Sequence, residues 1–218
     1  MTEFELPMRH DRTRICFTDP AARCSVAAAL AFMLVFTPHN ALAEISMNSK
    51  LPSEPIVRTV LVGTAWDRAD AKVEPDADTP STPQCKLYTV RNTKIPGAGL
   101  VMFALDTEGR LMAKTGDLVG LANLLRTCIP EDAATWAQVI SRYTDALLPQ
   151  VIEANDKSRA EDLAAAGATD VAPKMRKTSH GIELDYYVSR PVSRYSRVRA
   201  VVPTSGPVKI DEQAIVIR

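Results

Sequence analysis

Ser179–Asp185 holds the densest set of groups in this chain that could do chemistry: a serine, a histidine and two carboxylates. Residues 44–218 contain one histidine, His180, so any Ser–His–acid arrangement there must use it. Ser179 is its chain neighbour, and consecutive side chains on a strand point to opposite faces. Ser205 sits in Thr204-Ser205-Gly206-Pro207, which has turn composition. Glu183 and Asp185 share one face of a predicted strand about 7 Å apart, a spacing that would suit a glycosidase pair. A general acid, however, needs a raised pKa, and an arginine opposite each carboxylate lowers it. A single histidine excludes a multi-histidine zinc site and an HExxH metalloprotease. No GxSxG, SxxK, Walker or strand-linked GxGxxG pattern occurs. These readings predict no catalytic residue, no metal site and no cofactor.

Recognition chemistry is better represented. Lys174, Arg176, Lys177, Arg190 and Arg194, with Tyr187 and Tyr195 among them, form the candidate partner-binding set. Arginine and tyrosine are residue types that interfaces favour. The competing reading is a solvated strand face laced with cross-strand ion pairs.

The compartment is written at the front of the chain. Arg9, Arg12, Arg14 and Arg23 make a basic leader, the apolar run Val26–Phe36 follows, and Ala41-Leu42-Ala43 places small residues at a cleavage site. Eleven residues at about 1.5 Å each reach only half-way across a ~30 Å hydrocarbon core, which argues against an anchor. Residues 1–43 therefore read as a cleaved signal peptide, without the paired arginines of folded-protein export and without a lipoprotein cysteine at Glu44. The expected location is the bacterial periplasm or the exterior, with no integral membrane segment after cleavage. Cys16 and Cys24 leave with the leader. Cys85 and Cys128 remain, an even number that predicts one structural disulfide in an oxidising compartment. A loop of that length is worth roughly 4 kcal/mol in the chain-entropy model.

The mature chain carries 22 basic and 22 acidic residues, which argues against a nucleic-acid binder. The charge is unevenly spread. Residues 44–84 hold four basic and seven acidic groups, and residues 171–218 hold nine basic and four acidic. Such asymmetry steers a charged partner or reflects internal pairing.

Around these groups the sequence predicts an arm over 44–55 and one α+β domain over 56–218. The β-branched run Ile56–Thr64 reads as a strand, and proline-punctuated Asp67–Gln84 as a mobile loop. Cys85–Arg91 opens the next strand. A hairpin pairs Gly99–Asp106 with Arg110–Lys114, Leu105 facing Leu111 and Phe103 facing Ala113, and its two apolar faces imply cover on both sides. Helices follow from a Thr115 cap, from Pro130 with the stripe Trp136, Ala137, Ile140 and Tyr143 until Pro149 breaks it, and from Ser158 to Gly167. His180–Ser189 and Ser193–Val202 alternate strictly and pair as a hairpin, with Glu183 opposite Arg199 and Asp185 opposite Arg197. A last hairpin leads into Val208–Ile217. The fold class is α+β: an antiparallel sheet of six to eight strands from two sequence blocks, packed on a helical insertion over 116–166.

The functional expectation is an exported, soluble, non-enzymatic envelope protein that binds a macromolecular partner, in an inhibitor-like or assembly-accessory role. Its partner would be an acidic protein or an anionic envelope component. The alternatives are an envelope hydrolase using His180 with Glu183 or Asp185, and a small-ligand carrier lined by residues such as Trp136 and Tyr143. Mass spectrometry of the exported form should find an N-terminus at Glu44; an intact Met1 in the membrane fraction would refute the cleavage.

Overall fold

Two blocks of strands, separated by a helical stretch, set the architecture. The computed structural model describes residues 51–95, 97, 99–145, 149–190 and 194–216, all within Met47–Arg218, the second of two units into which the chain divides. The expected leader, its cleavage site and most of the arm lie outside the described residues.

The first block forms a four-stranded antiparallel sheet in sequence order: β1 (Ala71–Pro75), β2 (Cys85–Asn92), β3 (Leu100–Asp106) and β4 (Leu111–Lys114). Strand β3 is apolar on both faces, as its continuous hydrophobic run requires. Leu100, Met102 and Ala104 enter the main core, while Val101, Phe103 and Leu105 enter a second core with Val57, Val60 and Leu61. Those last three belong to α1 (Glu54–Leu61), so the expected strand at Ile56–Thr64 is a helix. Residues 57, 60 and 61 fall at i, i+3 and i+4, and burial of that stripe on the sheet outweighs β-branched propensity. Pro55 in its first turn and the Glu54–Arg58 ion pair at i, i+4 assist. In the β3–β4 hairpin Leu105 opposes Leu111 as expected. An irregularity between Ala104 and Leu105 then sets Ala104 against Ala113 and Phe103 against Lys114, one residue from the simple register.

Three helices follow: α2 (Leu118–Thr127), α3 (Ala133–Thr144) and α4 (Lys157–Ala165). Each is capped by an aspartate, Asp117, Asp132 and Asp156; Thr115 and Ser158 are not the caps, and Pro130, expected at the first helical position, lies two residues before the Asp132 cap. A carboxylate placed to accept the second or third free N–H makes the stronger cap. The Thr115 hydroxyl instead accepts from Met102 N at 2.8 Å, tying the helix entrance to β3. Helix α3 ends at Thr144, before Pro149. Its Trp136, Ala137, Ile140 and Tyr143 are buried as expected, and so are Val139 and Ser141. That is burial on two sides, because α3 belongs to one core that takes in residues of both sheets.

The second block forms the other antiparallel sheet. Its path is β5 (Gln150–Val151), β7 (Gly181–Arg190), β8 (Arg194–Pro203) and β9 (Lys209–Ile215), and β6 (Lys174–Thr178) also pairs with β7. His180 falls in the turn before β7 rather than on the strand. Gly181, at φ 140°, crosses so close to β8 that a Cβ would stand 2.2 Å from the Val202 carbonyl oxygen, which only glycine allows. The β7–β8 register differs from expectation by two residues: Asp185 opposes Arg199, Tyr187 opposes Arg197, and Glu183 opposes Val201. Arg190 and Arg194 stay in the ladder. Arg190 is held there by Asp145 and by a two-pronged contact with Glu212 of β9. An even shift preserves the faces, so Leu184, Tyr186 and Val188 still point into the core.

Asp67–Gln84 is more ordered than its composition suggests. It contains a 3-10 turn at Arg68–Asp70, strand β1, and a stretch fastened to the helical layer. There the buried Asp76 carboxylate accepts from Thr79 at 2.7 Å and faces Arg142 of α3 at 3.4 Å. Thr82 N donates to the Cys128 carbonyl at 2.7 Å. Beside it, Cys85 of β2 and Cys128 at the end of α2 form the expected disulfide, with Cα atoms 5.8 Å apart. No helix among the described residues is long and apolar enough to cross a membrane. Replacing both cysteines by serine should lower stability by about 2–4 kcal/mol in denaturant titrations; an unchanged midpoint would mean that the bridge adds nothing to the fold.

Candidate functional site

Strand alternation gives the second sheet two chemically different faces. The inner one carries Ile182, Leu184, Tyr186, Val188, Val198, Ala200 and Val202 toward the core. The outer one carries Glu183, Asp185 and Tyr187 on β7 and Val201, Arg199, Arg197 and Tyr195 on β8. Helix α4 lies across one half of this outer face. Leu163, with Ile152 and Val171, packs there on Tyr187 and Tyr195 in a third small core. The Tyr195 hydroxyl donates to Asp162 at 2.7 Å, and that bond, with burial, raises its pKa.

Being short, α4 leaves the other half of the face bare. A cleft of about 540 Å³ opens there, lined by Lys174 and Arg176 of β6, Glu183 and Asp185 of β7, and Arg199 and Val201 of β8. Register adds Lys209 and Asp211 of β9 to the same face, giving five cations against three carboxylates once Arg197 is included. Two rows of charge therefore cross the sheet. One reads Lys174, Asp185, Arg199, Asp211 and the other Arg176, Glu183, Val201, Lys209.

Asp185 on this face is held as an anion. Arg197 donates to Asp185 through Nε at 2.8 Å and also through Nη2. The bond from Arg197 is the main cause that lowers the Asp185 pKa, with the charges of Arg199 and Lys174 adding to it. Arg176 donates to Glu183. Neither carboxylate thus has the apolar surroundings a general acid needs. His180 is exposed; its backbone N–H donates to the Thr178 hydroxyl at 3.3 Å and its carbonyl accepts from Thr204 N at 3.3 Å. Among the described residues no group of three or more His, Cys, Asp or Glu is placed to hold a metal ion. Trp136 and Tyr143 are core residues, at 2% and 1% exposure.

The expected partner-binding set is therefore divided. Lys174 and Arg176 line the cleft. Lys177 points to the opposite face and pairs with Glu131 at 2.6 Å. Arg190 is engaged by Asp145 and Glu212 on the inner side. Tyr187 and Tyr195 are buried beneath α4, and Arg194 starts β8 outside the residues whose side chains are described. Lys174 and Arg176 also have partners, Asp170 at 3.0 Å and Glu183.

Arg199 is a residue of the basic strand face whose availability sequence reasoning missed. The expected register gave it to Glu183. In the observed register it lies opposite Asp185, whose oxygens are already taken by Arg197, so Arg199 comes only within 4.0 Å of that carboxylate. Its side chain stays 60% exposed at the cleft. The usable signal was the competition of two arginines, two residues apart, for one aspartate. The chain matches no family model, no curated protein and no solved structure.

The Asp185 pairing has a consequence for acid stability. A depressed folded pKa stabilises the fold above the unfolded value of about 4, and that contribution is lost as pH falls through the folded value. Denaturant midpoints measured from neutral pH downward should thus fall less steeply below about pH 4 in Asp185→Asn than in the native chain. Parallel curves would show that the pair carries no acid dependence.

Proposed function

We propose that this chain is an exported, non-enzymatic envelope protein that binds an anionic macromolecular partner through the bare half of its second sheet. The observation that carries this reading is Arg199. It is an exposed guanidinium at a cleft, beside Lys174 and Arg176, whose nearest carboxylate is committed to another arginine. Guanidinium groups in that situation are ready donors for carboxylate or phosphate oxygens. The leader-like N-terminus and the Cys85–Cys128 bridge support export, because such bridges persist in oxidising compartments. The arginine-paired carboxylates at the cleft support binding over hydrolysis. An inhibitor of an envelope enzyme or an assembly accessory would use such a surface.

Charge reversal tests this directly. Arg199→Glu combined with Arg176→Glu should weaken capture of the partner from envelope extract at least about ten-fold and flatten its salt dependence, mainly through the association rate. Thermal stability should change little, because exposed substitutions usually shift it by under ~0.5 kcal/mol. His180→Ala should leave capture intact. Loss of the protein's effect in His180→Ala, with folding and the charge-reversed variant unaffected, would favour the hydrolase.

A further inference from the structure

Strand β6 is an uncovered sheet edge of unusual charge. Its five residues are Lys174-Met175-Arg176-Lys177-Thr178, three cations and no acid. It pairs with β7 on one side, and no strand among the described residues pairs with the other. The other described edges are different. Strand β1 holds a proline and the Lys72–Glu74 pair, β4 has four residues with Lys114 turned to α1 carbonyls, β5 has two residues, and β9 carries Asp211 and Glu212. Lysine and arginine on an edge repel another such edge, so β6 is protected against a second copy of itself. They do not repel an acidic strand.

We infer that the partner engages β6 by strand addition, as an extended polypeptide segment with acidic residues at alternate positions. This rests on the anionic-partner reading above and specifies how the partner docks. Lys174 and Arg176 lie two apart on the outer face, so Asp or Glu residues two apart on an added strand fall directly opposite them. The residue between would lie on the side of Met175, which is partly buried against the main core, so an apolar side chain suits that position. Unpaired backbone groups of the edge gain partners along the same length. Existing ion pairs do not obstruct this: Lys174 and Arg176 are 59% and 76% exposed, and exchanging one exposed pair for another costs little. A membrane surface fits less well. Glu183, Asp185 and Asp211 alternate with the cations behind β6, so a uniformly anionic plane would meet three carboxylates as well.

The test uses the mature chain and a fluorescent peptide of about twelve residues with alternating Glu and Val. Two versions carry backbone N-methyl groups on alternate residues, one version on the Glu set and one on the Val set. A fourth peptide has the same composition with its Glu residues in one block. Vesicles of phosphatidylglycerol and phosphatidylcholine are the remaining probe. The alternating peptide should bind saturably. One N-methyl version should lose at least about ten-fold in affinity while the other is spared, because only one edge of the added strand faces β6. The blocked peptide should bind weakly, and Lys174→Gln/Arg176→Gln, with its unfolding midpoint checked, should lose about ten-fold as well. Hydrogen exchange at the β6 amides should slow with bound peptide. Equal binding of both N-methyl versions, or of the blocked peptide, overturns strand addition. Vesicle binding lost in Arg199→Glu, without peptide binding, rejects this mode and leaves the anionic-partner reading standing. Binding of neither probe, with unaltered partner capture by the charge-reversed Arg199 variant, removes both.

Discussion

The α2–α3 layer has to satisfy two sheets at once, and most of the molecule follows from that constraint. Leu87, Met102 and Ala104 approach it from the first sheet, and Leu184, Tyr186 and Val198 from the second, within one continuous core. Burial on two sides widens the buried part of α3, so that Val139 and Ser141 join the Trp136–Tyr143 stripe while Gln138 stays exposed. Each sheet thereby has one face committed. Parity along the strands then sends the remaining side chains outward. On the first sheet these are large and apolar, and α1 covers them. On the second they change character along the strands: Tyr187 and Tyr195 at one end take α4, and the charged residues at the other end take nothing.

What could be read from the sequence was what depends on periodicity. The two-faced burial of β3, the in-and-out order of β7 and β8, and the three helices after β4 follow from spacing alone. The disulfide followed from the count of cysteines that remain once the expected leader is set aside. What failed depended on tertiary competition. The run Ile56–Thr64 has strand propensity and a helical stripe at once, and only the presence of Val101, Phe103 and Leu105 beneath it decides for the helix. The caps failed for a similar reason, since Thr115 had a better use on β3 than at the head of α2.

The candidate site was half legible. Lys174 and Arg176 are where a basic strand face should put them. Tyr187 and Tyr195 were misplaced because an apolar ring with a hydroxyl serves a small core as well as an interface. Asp162 satisfies the Tyr195 hydroxyl under α4, and nothing in the strand's own sequence announces the helix that covers it. Lys177 and Arg190 belong to the expected partner-binding set on local pattern, whereas their acids, Glu131, Asp145 and Glu212, lie on other elements. Local registers show only local partners.

Register decides the chemistry of the cleft more than composition does. In a hairpin with Glu183 opposite Arg199 and Asp185 opposite Arg197, the hairpin's own four charges on this face would be matched in pairs. Shifting the pair by two residues leaves every face and every buried side chain as it was, yet it sets Val201 opposite Glu183 and both arginines around Asp185. Arg197 engages both oxygens of Asp185, and Arg199 is left at the mouth of the cleft. The shift is itself fixed from elsewhere. Arg190 stays in the ladder, where it reaches Glu212 on β9 and Asp145 at the end of α3, and this sets Arg194, rather than Val192, opposite it. An ion-pair cluster on the inner side of the sheet thus determines which arginine is exposed on the outer side.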